Sequence, residues 1–315
     1  MASRLSRSAL ILVACQVFAL ERFEAVEPHM GSMVRIVAYA KDQAQARQAF
    51  QAAFARVAEL DGILSDYKPE SELNRLCAAR SMVVSRDLFQ VLEASQRLAA
   101  ESNGAFDITA GPLIRLWREV RKTRVLPGLS VVEAARARTG WRKLTLDLVS
   151  RRATLGAPGM QLDVGGIAKG YVADEALAVL KRQGIESALV AASGDIVVSD
   201  PPPGKDGWDV TVELLGGTRD IVLRNAAVST AGDTEQFVEI DGTRYSHILD
   251  PKTGMALTRR IAVSVIAPTG LEADGLDTAI SVLGAARGVE LMKRHRKAKA
   301  FVVTEDGVVS VPPTL

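Results

Sequence analysis

The order of hydrophobic and polar positions in the first third of this chain predicts one strand and two long helices. Residues 29–40 have strand-like apolar spacing, whereas residues 41–64 are rich in alanine and repeat with helical periodicity. A second helical pattern runs over residues 85–101. The polar segment SDYKPESELNRL at 65–76 lies between the helices, and we expect it to be a loop.

The segment NGAFDITAGPLIRLW, residues 103–117, interrupts this regularity with two glycines and a proline. It predicts a loop with one short extended segment, followed by a helix around Trp117. The stretch SALVAASGDIVVSD at 187–200 reads as one buried strand with a glycine interruption, and RIAVSVIAPT at 260–269 as another strand.

Most of the second half of the chain shows patterns typical of antiparallel pairs. Hairpins are predicted with turns near Ser150, at Gly216–Gly217, at Asp241–Gly242 and within 298–311. Further helices are predicted over 168–183, 271–283 and 286–295. Helices packed in blocks on mixed or antiparallel sheets define the α+β class rather than a doubly wound sheet.

Composition and charge are those of an ordinary globular protein. The 315 residues are 48% hydrophobic and 24% charged, enough for one large domain or two intimately joined ones, which we expect over residues 25–315. The net charge of +2 gives no reason to expect a nucleic-acid partner, and the basic runs RKTR and KRHRKAK look like solvated helix faces. With only Cys15 and Cys77 present, zinc sites and disulfide frameworks are not expected, and Cys77 reads as a buried apolar residue.

The N-terminal segment resembles an export signal. Arg4 and Arg7 precede an apolar run that begins at Ala9 and is too short to span a bilayer. We therefore expect residues 1–20 to form a signal peptide. The tetrapeptide LVAC, ending at Cys15, resembles a bacterial lipoprotein signal, so membrane association would come only through an N-terminal lipid. A plain cleaved signal or a cytosolic N-terminal extension is the alternative.

The stretch LDVGGIAKGYVADEAL, residues 162–177, places glycines ahead of a helical pattern. Glycines let a backbone approach a ligand closely, and the first N–H groups of a helix favour an anion such as a phosphate. The same glycines also suit a tight strand-to-helix turn that binds nothing. The stretch contains neither a P-loop nor a G-x-G-x-x-G pattern.

Five further motifs accompany this stretch in order: GAFDITAGPL before it, and ASGDI, STAGDTEQF, RYSHILDPKTG and EADGLDTAISVLG after it. The set resembles the ApbE family, the FAD:protein FMN transferases, from about Met30 to the C-terminus. The resemblance implies an ApbE-like fold with a flavin site in a cleft between two intimately joined halves. It also implies an enzyme that takes FAD, uses Mg²⁺, attaches FMN through a phosphoester to a Thr or Ser hydroxyl of an acceptor protein, and releases AMP.

Oxygen ligands for magnesium are available in EADGLDTAI. A helix there would place Asp274 and Thr278 on one face, with Asp277 one step away, so two carboxylates and a hydroxyl would meet at one helix start. Taken alone, Asp274 would more readily be a helix cap. The resemblance favours a metal site and implies that Gly166 adds a ligand, which could only be its carbonyl.

The resemblance also carries over a set of flavin-contact positions. They fall on Met30, Tyr67, Ala105, Phe106, Asp107, Asp163, Lys169 and Ile248. Tyr67 could stack on a flavin or adenine ring, and Phe106 could instead pack into the core. Many relatives have an acid in place of Lys169, which could pair with a phosphate or lie on the helix surface.

His247, in the motif YSHILDP, is one of three histidines. A lone histidine is usually structural, but an imidazole can accept a proton near neutral pH. Together with the matching family motif, this makes His247 the candidate general base for the acceptor hydroxyl. The segment STAGD, beginning at Ser229, resembles the family segment facing the reaction centre, and we leave it outside the catalytic set.

Three functions remain open from the sequence. The first is an exported, periplasmic or lipid-anchored FMN transferase whose acceptor carries a Ser/Thr motif, as in a membrane redox subunit. The second is an FAD pyrophosphatase that uses the same site with water as the nucleophile. The third is a protein that binds FAD without chemistry, although binding alone needs neither a divalent metal nor a base.

Overall fold

The computed structural model describes residues 19–232, 236–305 and 307–311. The predicted signal segment up to residue 18, with Cys15, lies outside these ranges, as does Asp233 of the STAGD motif. Among the helices in these ranges, none is both long and apolar enough to cross a bilayer.

Seventeen strands and eight helices are present in the described ranges. The strands are β1 (Glu21–His29), β2 (Ser32–Ala40), β3 (Ser81–Val83), β4 (Leu144–Asp147), β5 (Arg152–Leu155), β6 (Ala188–Ala192), β7 (Asp195–Val198), β8 (Trp208–Leu214), β9 (Gly217–Leu223), β10 (Ala226–Gly232), β11 (Phe237–Ile240), β12 (Thr243–Ser246), β13 (Leu249–Asp250), β14 (Met255–Ala256), β15 (Ile261–Ala267), β16 (Lys299–Thr304) and β17 (Gly307–Val311). The helices are α1 (Gln43–Leu64), α2 (Glu72–Ala79), α3 (Arg86–Glu101), α4 (Gly111–Thr123), α5 (Leu129–Arg136), α6 (Ala168–Arg182), α7 (Gly270–Leu283) and α8 (Ala285–Met292).

An eight-stranded sheet in the order β1-β2-β6-β7-β10-β15-β16-β17 is the main framework. Every neighbouring pair in it is antiparallel. Helices α6 and α7 pack on this sheet, α6 against β6 and β7, and α7 against β10 and β15, while α1 packs on α6. The α+β prediction is therefore confirmed, with the large sheet antiparallel throughout.

A second, smaller part of the molecule is built from α4, α5 and the short pairs β11–β12 and β13–β14. Its own apolar cluster includes Leu113, Trp117, Val132 and Leu249, and it is separate from the main core under the large sheet. The indole Nε1 of Trp117 donates a hydrogen bond of 2.9 Å to the Gly254 carbonyl, which joins α4 to the turn between β13 and β14. A cleft therefore lies between two packed halves.

Helices α6 and α7 cap each other's N-terminal ends. The Asp174 carboxylate on α6 accepts the N–H groups of Gly270 and Leu271 at 2.7 and 2.9 Å. In return, Asp274 Oδ2 on α7 accepts the Gly170 N–H at 3.0 Å. The first N–H groups of a helix have no partner within it, so these carboxylates satisfy donors that burial would otherwise leave unpaired.

We predict that Gly170→Val strongly destabilises the protein. An added Cβ at Gly170 would stand 2.0 Å from the Gly270 carbonyl oxygen, so the two helices would have to separate. Overpacking of this kind costs about 3 kcal/mol or more when backbone must move. Thermal denaturation of Gly170→Val would measure this loss of stability. The control is Gly62→Val, where an added Cβ meets nothing within 4 Å. Equal melting temperatures for the two variants would contradict the predicted helix contact.

Several expectations from the sequence are wrong in detail at the N-terminal side. Met30 and Gly31 form a turn with φ of 51° and 72° instead of belonging to one strand, and β1 precedes them. Residues 72–76 of the expected loop at 65–76 belong to helix α2, which Ser71 caps by accepting the Asn74 N–H. The segment at 187–200 is the hairpin β6–β7, with Ser193 at φ 61° in its turn, and not one interrupted strand.

The basic runs are also placed differently from the expectation of solvated helix faces. Arg121 at the end of α4 lines the cleft. Residues 293–299 follow α8, and within them His295 lies between the carboxylates of Glu272 and Glu101, at 2.8 and 3.0 Å. Cys77 is only partly buried and accepts the Leu162 N–H on its Sγ at 3.3 Å, so it is not a purely apolar core residue.

Candidate active site

The cleft between the two halves has a volume of about 960 Å³, which is in the range of small-molecule sites. All thirteen residues singled out in the sequence line it: Met30, Tyr67, Ala105, Phe106, Asp107, Asp163, Gly166, Lys169, His247, Ile248, Asp274, Asp277 and Thr278. These residues come from segments spread over most of the chain. Their convergence in one cavity is a property of the tertiary structure.

Three buried carboxylates form a cluster, and two of them, Asp274 and Asp277, line the cleft. Asp195 at the start of β7 and Asp274 and Asp277 on α7 each present an oxygen, and these oxygens lie within 4.8 Å of one another. The side chains are only 1–2% exposed. Thr269, and not Asp274, caps α7 by accepting the Glu272 N–H, so the acids lie in the second turn instead of at the helix start. Asp274 is therefore not the N-cap of its own helix.

Ser229 on β10 connects two of these acids. Its Oγ lies 2.5 Å from Asp195 Oδ1 and 2.5 Å from Asp277 Oδ2. A hydroxyl has one hydrogen, so it can donate to only one carboxylate at a time. The second contact would be a hydrogen bond only if the other carboxyl carried a proton. Burial and the neighbouring Asp274 raise the pKa of Asp277 well above its ordinary value.

Lys169 is the cation that faces the three acids. Its Nζ lies 2.5 Å from Asp195 Oδ2 and 3.6 Å from Asp274 Oδ1. Although the side chain is 32% exposed, the lysine does not lie on the outer helix surface, which was one of its two expected placements. The adjoining acids outweigh the effect of burial and raise the pKa of its ammonium, so the charge persists.

The oxygen donors around Asp274 fit a hard divalent cation. Thr278 Oγ1 would stand only 2.9 Å from a Cβ at Gly166, so the glycine backbone and the threonine hydroxyl are adjacent. With Asp274 and Asp277 they form the kind of donor set that Mg²⁺ prefers, two carboxylates with neutral oxygens. Burial and Asp195 raise the pKa of Asp274 to about 7, and the nearby Lys169 offsets only part of this effect.

We predict that Mg²⁺ binds more tightly as the pH rises from 6 to 8. Asp274, with a pKa of about 7, holds its proton at pH 6 and must release it before it can bind a metal. Affinity should rise by about tenfold per pH unit below that pKa for each released proton. Calorimetric titration in two buffers of different ionisation enthalpy would measure how many protons are released when Mg²⁺ binds. An affinity that does not depend on pH, without proton release, would contradict the assignment.

A second charged group lines the cleft around Arg118 of α4. The guanidinium donates to Asp66 and, at 2.8 Å, to Asp163 Oδ2, and it lies 4.4 Å from the Tyr67 ring centroid. Asp163 Oδ1 accepts the Gly165 N–H at 2.9 Å, so its carboxylate is held from both sides. Burial and Asp66 raise the pKa of Asp163. The Tyr67 side chain remains exposed and could stack on a planar ring.

The apolar part of the cleft is made by side chains that also belong to the cores. Phe106 is 3% exposed and packs in the main core, as one reading of the sequence expected, while still forming a wall of the cleft. Ala105 and Ile248 pack together in a small cluster beside it. Met30 packs at the edge of the main core. The wall is therefore rigid and suits a flat ring.

Asp107 holds the loop that carries Ala105 and Phe106. Its carboxylate accepts the N–H and hydroxyl of Thr109 at 2.8 and 2.6 Å, and the Trp141 N–H at 2.9 Å. Burial raises the pKa of this carboxyl despite these bonds. The described contacts thus give Asp107 a role in shaping the wall of the cleft.

His247 lies between β12 and β13 and lines the cleft. The backbone N–H of His247 donates to the Gln236 carbonyl at 3.0 Å, and its ring Nδ1 lies 3.2 Å from the same oxygen. A carbonyl can only accept, so this contact favours a hydrogen on Nδ1 and places the ring's lone pair on Nε2. In this tautomer Nε2 of the half-buried imidazole can accept a proton, as a general base must.

Three residues of the site had no assigned role in the sequence analysis: Asp195, Ser229 and Arg118. Asp195 stands in ASGDI and Ser229 in STAGD, so their motifs were noted without a function for either side chain. Arg118 lies in a helical pattern that carried no signal for chemistry. Only their contacts in the folded structure reveal what they do.

The geometry agrees with what comparisons with known proteins find. A model of the ApbE family matches residues 30–302. The chain therefore belongs to the ApbE family, as the sequence motifs indicated. An FAD:protein FMN transferase of Klebsiella pneumoniae is 31% identical over 289 residues, covering 88% of this chain and 83% of that protein. Another from Salmonella typhimurium is 31% identical over 260 residues, covering 78% and 74%.

A solved structure supports the same relationship. The flavinyl transferase ApbE of Pseudomonas stutzeri, in its apo form, aligns with a TM-score of 0.82 and 32% identity. The alignment covers 94% of this chain and 95% of that one. The resemblance therefore extends through both halves of the molecule and through the cleft between them.

Proposed function

We propose that this protein is an FAD:protein FMN transferase that moves the FMN part of FAD to a Thr or Ser hydroxyl of an acceptor protein. The observation that carries the proposal is that His247 lines the same cleft as Asp274 and Asp277, two acids of the buried cluster. Phosphoryl transfer needs negative charge neutralised at the phosphates and a base at the attacking hydroxyl. The same cleft contains acids that could hold a neutralising cation and a histidine that could act as the base.

The reaction consists of one substitution at phosphorus. The acceptor oxygen attacks the phosphorus of the FMN half, the bond from that phosphorus to the oxygen bridging it to AMP breaks, and AMP leaves with that oxygen. His247 accepts the proton of the attacking hydroxyl on Nε2. The apolar wall at Phe106 and Ile248 holds the flavin ring and keeps water away from it.

Magnesium is part of this proposal. Asp274, Asp277, Thr278 and the Gly166 carbonyl would hold it, and a bound divalent cation supplies charge neutralisation at the pyrophosphate. Asp195 and Ser229 keep the carboxylates of the cluster in place through the contacts at 2.5 Å. Lys169 partly balances the remaining negative charge.

The direct test is to incubate the protein with FAD, Mg²⁺ and a candidate acceptor, and to separate the products on a denaturing gel under ultraviolet light. Fluorescence that stays with the acceptor, and that is lost without Mg²⁺, is the expected result. Free FMN and AMP with a dark acceptor, for every acceptor tried, would indicate a pyrophosphatase instead. FAD that stays intact with Mg²⁺ present would reduce the function to binding.

We also propose that the protein is exported and acts in the periplasm or at a membrane surface. Arg4, Arg7 and the apolar run that follows support a signal peptide, and LVAC supports a lipid on Cys15. Its acceptor would then be the exposed part of a membrane redox subunit. Mass spectrometry of the mature N-terminus, purified from its own host, would distinguish a lipidated cysteine, a cleaved leader and an intact chain.

A further inference from the structure

A second cavity of about 460 Å³ opens beside the flavin cleft. It lies between the C-terminal end of α5, the 3₁₀ turn at Trp141–Lys143 and the turn between β13 and β14. Asp107 and Pro251 line both cavities, so the two openings share a wall. Pro251 is four positions after His247 along the chain, which brings this second cavity near the candidate base.

The cavity is lined by Arg136, Arg142 and Lys252, and all three side chains are exposed. In the described part of the chain, none of the three forms an ion pair with an acid. The only acid in the lining is Asp107, whose carboxylate is already used by Thr109 and Trp141. The basic groove, as we name this cavity, therefore has an excess of positive charge.

The cations of the basic groove are held in place by packing. The Arg142 guanidinium lies 4.3 Å from the centroid of the Trp141 ring, a cation–π contact. A Cβ on Gly104 would stand 3.0 Å from Trp141 Nε1 and 4.0 Å from Lys252 Cε, so these two side chains approach the same glycine. A Cβ on Gly254 would stand 3.0 Å from Arg136 Cδ. Two close-packed glycine positions thus bring the three basic residues around one opening.

We infer that the basic groove binds an acidic stretch of the acceptor protein and so presents the acceptor hydroxyl to His247. The inference rests on the proposed function, because it assumes that a protein substrate enters the cleft. An acceptor must place one hydroxyl inside the cleft while its flanking residues stay outside, and the groove adjoins the cleft through Asp107 and Pro251. Unpaired cations in an open groove complement carboxylates and speed the encounter of the two proteins.

The test uses a fluorescein-labelled hexaglutamate peptide as probe, with the full chain and fluorescence anisotropy. The triple variant Arg136→Gln, Arg142→Gln, Lys252→Gln should bind the probe about tenfold more weakly than the unaltered protein at low salt. The control triple Arg47→Gln, Arg97→Gln, Lys181→Gln removes the same charge from exposed positions outside both cavities. Its affinity for the probe should change by less than about twofold.

Equal weakening in the two triple variants would overturn the inference, because the probe would then sense only net charge. Displacement of the probe by AMP would also overturn it and assign the groove to the nucleotide. FAD binding and AMP release are measured on the same samples and should not differ between the variants. If the unaltered protein neither binds nor cleaves FAD while the probe still distinguishes the variants, the proposed function is wrong, but the basic groove is still a binding site for acidic peptides.

With an acceptor that the unaltered enzyme flavinylates, the groove variant should show a KM for the acceptor raised about tenfold and a kcat within about twofold. A loss confined to kcat would contradict a docking role, since the groove residues would then act on the reaction itself. Unchanged kinetics would contradict it as well.

Discussion

Asp274→Asn is expected to reduce Mg²⁺-dependent release of AMP from FAD by roughly a thousandfold, the equivalent of about 4 kcal/mol of lost charge stabilisation. The substitution keeps an oxygen that can accept the Gly170 N–H but removes the negative charge from the metal cluster. Asp274 is 2% exposed, and no other described carboxylate besides Asp195 and Asp277 reaches the same point. Chromatographic measurement of AMP at saturating FAD would give the rate.

The fold of this variant should survive. Burial raises the pKa of Asp274 to about 7, so at pH 8 the folded state holds an ionised carboxylate at a cost that asparagine avoids. The metal-free melting temperature at pH 8 should therefore be unchanged or higher, and the rise produced by Mg²⁺ should disappear. Asp209→Asn, a change in an exposed pair with Lys205, serves as control and should keep full activity. Full activity of Asp274→Asn would exclude its role as a metal ligand.

His247→Ala should slow flavin transfer to the acceptor by about 10²-fold to 10⁴-fold, the usual contribution of a general base. The affinity for FAD should stay within about threefold, because the imidazole acts on the proton of the acceptor hydroxyl and not on the flavin ring. Single-turnover measurement of protein-bound flavin fluorescence would give the transfer rate, and equilibrium titration would give the FAD affinity.

A pH profile separates a base from a merely structural histidine. With Mg²⁺ kept saturating at every pH, so that protonation of Asp274 does not limit the rate, the unaltered enzyme should lose activity toward acid pH as the general base is protonated. Under the same conditions the Ala variant should lack this limb and recover rate with added imidazole. His29→Ala is a suitable control, because that ring contacts Glu27, stacks on Phe54 and is not among the described residues that line the cleft. If His247→Ala keeps the acid limb, another group must accept the proton.

The sequence predicted most helices and hairpins because their signals are local. Helix α1 repeats apolar residues over six turns and begins where Asp42 caps it by accepting the Gln45 N–H. The hairpin β11–β12 turns at Asp241 and Gly242, which both have positive φ as their residue types favour. Such patterns need no knowledge of the rest of the chain.

The elements that the sequence did not predict correctly were missed for physical reasons as well. Helix α2 has only eight residues, too few for a periodic signal, and its stability depends on the Ser71 cap and on burial of Leu73 and Leu76. Strands β6 and β7 are buried on both faces, so neither shows the alternation that marks a half-buried strand. The sequence analysis therefore interpreted the turn between β6 and β7 as an interruption within one strand.

By itself the sequence determined the α+β class, the family and the pairing of Asp274 with Thr278 on one helix face, because helical spacing fixes which residues share a face. It did not determine that Asp195 joins them, that Ser229 bridges two acids, or that Lys169 balances their charge. Ser229 lies 34 positions from Asp195 and 48 from Asp277. Such contacts depend on which strands pair and which helices pack, so only the tertiary structure could decide them.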